Sequence, residues 1–324
     1  MKRIIPILLT LISLQSCSQE KNKTMQNPNI TADNIVTEIS KQVKNYPIEP
    51  NYGFRYENNQ CYFEVFINDF PAFKQFKKPT SSAFEINPFI FKNGTQRITY
   101  KLYPVNSAAL SEETSLTLNL ESFDMKNESQ GDVVVQEFKT PSTEVKIADN
   151  YSNQKFVGAG KNYYEGSFDV KVDVPYQLHS AFENAQDLQK MDKKELEAKL
   201  LKKYKEIWSI YQNKELDNIA KLEYDSFKDL FVSGYSNKNE IEHNWKELNQ
   251  AYTSSTFKMQ PIEKYKLQFF AGGKLAALML DTTDNQLRGN TALWAKVDYD
   301  GGMRGMFINR YFYIPQGEKE FKVY

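Results

Sequence analysis

Apolar positions change their spacing once along this chain. Between residues 50 and 178 they fall on alternate residues, and beyond about residue 184 they recur every three to four. In the first stretch Phe54 and Tyr56 alternate with polar neighbours. Glu57-Asn58-Asn59-Gln60 then turns the chain into Cys61-Tyr62-Phe63-Glu64-Val65-Phe66-Ile67. Period-two runs continue over 84–91, Ile98/Tyr100/Leu102, Leu116/Leu118/Leu120, 133–138, Val145/Ile147 and Phe168/Val170/Val172/Val174. Such alternation gives each strand one apolar face. Pro79, Asn93-Gly94, Pro104, Gly131, Pro141 and the Gly158/Gly160 loop punctuate the series. Seven or eight short strands with turns at that spacing predict an antiparallel β-sandwich over residues 50–178. The paired cysteine and core tryptophan of immunoglobulin domains are missing.

A short helix is expected over 31–46, capped by Thr31 or Asp33, with Ile35, Ile39 and Val43 on one side and Pro47 and Pro50 as its stop. Past Pro175 the period becomes 3.6. Asp192 with Glu195 predicts a capping box, after which Leu196, Leu200, Tyr204, Ile207, Trp208 and Tyr211 share one helical face. A second helix is predicted over about 215–231. A third opens at Ser236 or Asn237 and aligns Ile241, Trp245 and Leu248. Two hairpins follow, 265–271 with 275–280 around Gly272-Gly273, and 291–299 with 303–314 around Asp300-Gly301-Gly302. The fold class is thus mixed β and α+β, with the sandwich followed by a domain over 185–324 that places helices first and antiparallel hairpins last. Few contacts are expected across 175–184, so that a cut there leaves two folded pieces. The run Ile207-Trp208-Ser209-Ile210-Tyr211-Gln212-Asn213-Lys214-Glu215-Leu216-Asp217-Asn218-Ile219-Ala220-Lys221-Leu222 resembles the helix–turn–helix opening of NTF2-like cone folds. That resemblance implies an architecture and no function, since the fold hosts many.

The N-terminus follows the plan of a secretory signal. Lys2 and Arg3 form a basic head, and an apolar run over 4–14 is broken only by Pro6, Thr10 and Ser13. This run is far too short for a permanent membrane span. Leu14-Gln15-Ser16-Cys17 is similar to the lipobox of bacterial lipoproteins, although Gln15 departs from the small residue usual there. The resemblance implies removal of residues 1–16, diacylglycerol on the Cys17 thiol and an N-acyl chain such as palmitate. It therefore implies a membrane partner through the lipid, on a Gram-negative outer membrane facing either the periplasm or the cell surface. Residues 17–30, polar after Cys17, are expected to tether the body, with a reach of roughly 40 Å at about 3.3 Å per residue.

That address bounds the chemistry. With Cys17 acylated, Cys61 is the remaining thiol, so no intramolecular disulfide forms, and its place on a strand face predicts a packed core thiol. Without Lys2 and Arg3 the 324-residue chain keeps 39 basic against 41 acidic residues, which lacks the basic excess of a nucleic-acid binder. No nucleophile elbow, zinc motif, phosphate loop or cofactor fingerprint is present, and His179 and His243 are far apart in sequence. Gly158-Ala159-Gly160-Lys161 reads as a turn. Asp281-Thr282-Thr283-Asp284 holds oxygen donors suited to a cation or to acid–base work, yet such residues also cap loops.

Aromatic content is the stronger signal, with 20 tyrosines and 22 phenylalanines. On the last hairpin Trp294, Lys296 and Asp298 share one side, and Arg304 and Arg310 flank an aromatic end at Tyr311, Phe312 and Tyr313. Rings mixed with charges stack sugars or anchor protein partners. We therefore expect a lipid-anchored envelope binding protein without cofactor, metal or catalytic activity, using Trp294, Lys296, Arg304, Arg310 and Tyr311. A protein partner comes first, such as a periplasmic toxin that it blocks or an envelope complex in which it docks. A glycan comes second, and an enzyme acting on cell wall or polysaccharide third.

Replacement of Cys17 by serine is expected to abolish labelling by a fatty-acid analogue. Continued labelling of Cys17→Ser would rule out lipidation at this residue.

Overall fold

The computed structural model describes residues 25–149, 151–299 and 301–324. Helix α1 (Ile35–Ser40) comes first, and ten strands follow. They are β1 (Pro50–Asn59), β2 (Cys61–Ile67), β3 (Phe70–Gln75), β4 (Ser81–Glu85), β5 (Gly94–Pro104), β6 (Ser115–Asp124), β7 (Val133–Lys139), β8 (Ser142–Ala148), β9 (Tyr151–Phe156) and β10 (Tyr164–Val172). Two four-stranded antiparallel sheets, in the orders β4-β1-β6-β7 and β10-β5-β2-β3, enclose one core between them. The predicted corner at Gln60 is tight: that residue adopts φ +55°, and the Asn58 amide donates to the Cys61 carbonyl at 2.6 Å. β1 and β2 therefore leave the same turn into opposite sheets.

Three details of the sandwich depart from the periodicity. The expected run over 84–91 ends as a strand at Glu85, because Asn87-Pro88-Phe89 forms a 3₁₀ turn. There the Asn87 side chain accepts from the Tyr52 amide at 2.8 Å and donates to the Pro50 and Ser233 carbonyls at 3.0 Å. β3 opens with Phe-Pro and pairs with β2 through a register shift at Val65/Phe66, which breaks its alternation. β9 pairs only with β8, in a hairpin apart from both main sheets, and a strand without an apolar face carries no period-two signal.

After the sandwich come helices α2 (Lys193–Gln212), α3 (Leu216–Ser233) and α4 (Lys238–Thr253). The Asp192 carboxylate accepts from the Glu195 amide at 2.9 Å, and Asn237 with Glu240 forms a reciprocal capping box. Seven short strands complete the chain: β11 (Lys258–Met259), β12 (Tyr265–Phe270), β13 (Leu275–Leu280), β14 (Trp294–Asp298), β15 (Met303–Phe307), β16 (Phe312–Tyr313) and β17 (Lys322–Val323). They build sheets β11-β14-β15 and β12-β13-β16-β17. The single strand expected over 303–314 is in fact two strands in different sheets. Between them the Asn309 side chain accepts from the Thr291 amide at 2.9 Å and turns the chain inward. None of the described helices is long and apolar enough to cross a membrane.

Segment 26–40 belongs with the second half. Ile30, Ile35 and Ile39 are buried in the helical core, and the Gln26 side chain exchanges hydrogen bonds with the Val323 backbone at 2.9 and 2.7 Å. The Asn27 amide reaches the Asp225 carboxylate at 2.9 Å. The tether expected over 17–30 is thus already fastened at Gln26. Cys17 itself lies outside the described residues.

The expectation of few contacts across 175–184 is not met. No sheet mixes strands of both halves, but a third core cluster joins them. Phe66 and Phe70 from the sandwich pack there with Phe182, Phe270, Tyr311 and Tyr324. Backbone bonds reinforce the seam, with the Ala271 amide donating to the Asp69 carbonyl at 3.0 Å. Large rings were legible in the sequence, but alternation could not say which face of β2 and β3 meets another layer.

Phe70→Ala is expected to cost about 3 kcal/mol, because the cavity would open in the shared cluster. Urea unfolding followed by fluorescence and by far-ultraviolet circular dichroism should show one coincident, lowered transition. Two separated transitions in the unmodified protein would mean that the halves unfold independently.

Candidate functional site

β14 and β15 pair with Trp294 opposite Phe307, Lys296 opposite Gly305 and Asp298 opposite Met303. Ala295 and Val297 point into the core, which turns Trp294, Lys296 and Asp298 outward, as their alternation requires. The Trp294 and Phe307 rings stack at 5.6 Å between centroids and 21° between planes. The Lys296 ammonium lies 5.9 Å from the Trp294 ring. A Cβ on Gly305 would touch Phe307 at 3.4 Å and Trp294 at 3.7 Å, so this glycine keeps the neighbouring ring surface uncovered. Arg304 bonds the Tyr299 carbonyl at 3.1 Å and lies on the same hairpin.

These rings form one wall of an open groove of about 970 Å³. The opposite wall is the end of β3 and the segment after it, with Lys74, Phe76 and Lys77, together with the 284–290 loop. Lys74 fastens the two together: its ammonium donates to the Gly289 carbonyl at 2.7 Å and to the Asn290 side chain. Burial pulls the Lys74 pKa down to about 8, against the opposing pull of the Glu64 carboxylate. Lys74, Lys77, Arg288, Lys296 and Arg304 supply five cationic side chains, with Asp284 the acidic one among the lining residues. Asp284 is engaged within its own loop, where it accepts from the Gln286 amide at 2.8 Å.

Next to the groove, and sharing Phe76 and Arg288 with it, lies a smaller cavity of about 280 Å³ between the sandwich and the second half. Its wall includes Glu64, Lys101 and Tyr103 from the sandwich and Lys266 and Arg288 from the other side. Gly289, at φ +71°, lets the loop close: a Cβ there would meet Lys74 at 2.8 Å, Phe76 at 3.0 Å and Glu64 at 3.1 Å.

The five residues singled out on the hairpin do not stay together. Trp294, Lys296 and Arg304 line the groove, whereas Arg310 and Tyr311 are interior. The Arg310 guanidinium ion-pairs with Glu223, whose carboxylate also accepts from Tyr211 at 2.7 Å and Tyr252 at 2.8 Å. Burial opposes the Arg310 charge, but Glu223 and the two tyrosines outweigh it and raise its pKa. Arg310 therefore neutralises a buried carboxylate, and Tyr311 belongs to the seam cluster. Spacing alone could not separate the residues before Asn309 from those after it.

Elsewhere the chemistry is quiet. Cys61 is fully buried, and that burial pushes its thiol up to about 12. His243 is exposed on α4, and His179 lies 3.6 Å from Glu183 on the surface. Asp281 meets Lys266 at 3.4 Å. Gly158 and Gly160 lie in a turn, and Asp300 falls outside the described residues. Among the described residues no three His, Cys, Asp or Glu side chains gather as a metal-ligand group. Phe307, Lys74 and Arg288 were not singled out from the sequence. Arg288-Gly289 directly after a polar loop was the available signal, but its partners lie more than 180 residues away. Comparison with protein families, curated proteins and solved structures gives no match to this chain.

Arg310→Met should destabilise the fold by about 3–5 kcal/mol, since it leaves Glu223 buried without its cation. Exposed Lys296→Met should stay within about 0.5 kcal/mol of the parent. Denaturant titration of both variants distinguishes an interior arginine from a surface one.

Proposed function

We propose that this chain is a lipid-anchored cell-envelope protein, held through Cys17, that binds a glycan without turning it over. The observation that carries this reading is the ring pair Trp294/Phe307 set in a groove rimmed by lysines and arginines. Sugar rings present C–H faces that stack on flat aromatic surfaces, and their hydroxyl groups suit the exposed amides of Asn285 and Gln286 along the same groove. The surplus of cations favours an acidic glycan over a neutral one. A binding role rather than catalysis is supported by the acid content of the groove. Hydrolysis of a glycosidic bond calls for two carboxylates facing across the substrate, and Asp284 stands without such a partner among the lining residues.

A protein partner is the second reading. It is favoured by β7, where Val133, Val134 and Val135 are 59%, 52% and 43% exposed on an edge strand. Such an edge can accept an added strand.

The test uses the full mature chain and a panel of acidic and neutral polysaccharides measured by calorimetry. Trp294→Ala and Gly305→Gln are each expected to weaken the bound polysaccharide at least tenfold, the first by removing a ring and the second by covering it. Lys296→Ala should weaken acidic polysaccharides more than neutral ones. Binding untouched by all three would overturn the reading, as would release of reducing ends from the polysaccharide.

A further inference from the structure

Arg288 is held in an unusual way. Its guanidinium lies 3.8 Å from the Phe76 ring centroid, 5.0 Å from Tyr62 and 5.3 Å from Tyr103. Rings at such distances engage the flat faces of a guanidinium and leave its in-plane N–H groups unanswered. Nε and Nη2 are indeed shielded from solvent and hydrogen-bonded to nothing among the described residues. Arg288 also forms no salt bridge with any of the described carboxylates. Leaving charged donors unmet is costly, so a fork in this state calls for an acceptor.

The cavity beside it has the complementary chemistry. Lys101 and Lys266 add two more cations, and the facing carboxylate, Glu64, is engaged by the Tyr103 hydroxyl at 2.6 Å. Lys101 sits 4.2 Å over the Phe66 ring and only 4.0 Å from Glu165, a distance too long for a hydrogen bond. An occupant with a carboxylate would pair with the Arg288 guanidinium on the cavity wall, and Glu64 and Tyr163 line the same space beside it. A volume of about 280 Å³ restricts it to a single sugar-sized unit. Phe76 and Arg288 line both spaces, so the cavity adjoins the groove.

We propose that this cavity binds the carboxylate of a uronic acid, the terminal unit of the glycan lying in the groove, with Arg288 as the residue that recognises it. The glycan half of this statement rests on the function proposed above, while the carboxylate half rests on the cavity alone.

Calorimetry and saturation-transfer NMR on the full mature chain, with glucuronate, glucose and sulfate as probes, test it. Glucuronate should bind at least tenfold more tightly than glucose or sulfate. Arg288→Met, which keeps the packing on Phe76 but removes the fork, should weaken glucuronate at least tenfold without lowering the melting temperature. Lys101→Gln, on the sandwich side, should weaken it several-fold. Trp294→Ala should leave glucuronate within about twofold while weakening longer polysaccharides at least tenfold. Equal binding of glucuronate and glucose, or glucuronate binding unchanged in Arg288→Met, overturns the pocket and leaves the ring groove standing. Sulfate binding as well as glucuronate reduces the cavity to a general anion site and overturns the sugar-acid assignment. Glucuronate binding through Arg288 with no polysaccharide bound by the groove overturns the glycan reading alone.

Discussion

Phe70 is surrounded by five rings, Phe89 at 5.9 Å, Phe91 at 6.3 Å, Phe182 at 6.0 Å, Tyr311 at 5.0 Å and Tyr324 at 5.8 Å between centroids. Three of these come from the second half of the chain, including its last residue. Stacked, tilted and edge-on ring pairs of this kind add to the burial of their large surfaces, and they fix orientation as well as distance. The cluster thereby sets how the sandwich meets the α+β half. Everything in the groove and the adjoining cavity depends on that relation, because each has one wall from either side.

A second set of contacts refines the seam. Gly289 closes the 281–290 loop onto Lys74, Phe76 and Glu64, and Lys74 holds the loop backbone from the sandwich side. The loop is polar and largely exposed, yet its last turn is held on two sides. Loops positioned by rigid elements are where binding residues concentrate, and Arg288 sits at the held end. The partial burial of Lys74 and Arg288 lowers both pKa values, and the Glu64 carboxylate opposes that effect at each of them.

Inside the second half, the Glu223–Arg310 pair with Tyr211 and Tyr252 ties α2, α3, α4 and the segment before β16 around one buried charge. Its cost in desolvation is offset by the ion pair at Oε2 and by the two tyrosine hydroxyls that both donate to Oε1. This network explains why the second hairpin divides. Arg310 must reach Glu223, so the chain leaves the β14-β15 sheet at Phe307 and re-enters the other sheet at Phe312.

By itself the sequence determined the local architecture. Alternation in β5 and β6 and the 3.6 period of α2 each follow from which side chains must leave water, and the capping box at Asn237 and the turn at Gln60 follow from backbone donors and strain within a few residues. It also settled that Trp294 and Lys296 point the same way, since a strand alternates whatever it packs against. Only the tertiary structure decided which residues meet at a site. Arg288 lies 224 positions from Glu64, and Arg310 lies 16 positions from Trp294 yet faces the interior. Period encodes a face, not its neighbour: which apolar face covers which, and therefore which charges are left lining a groove, is fixed by the packing of large rings from distant segments.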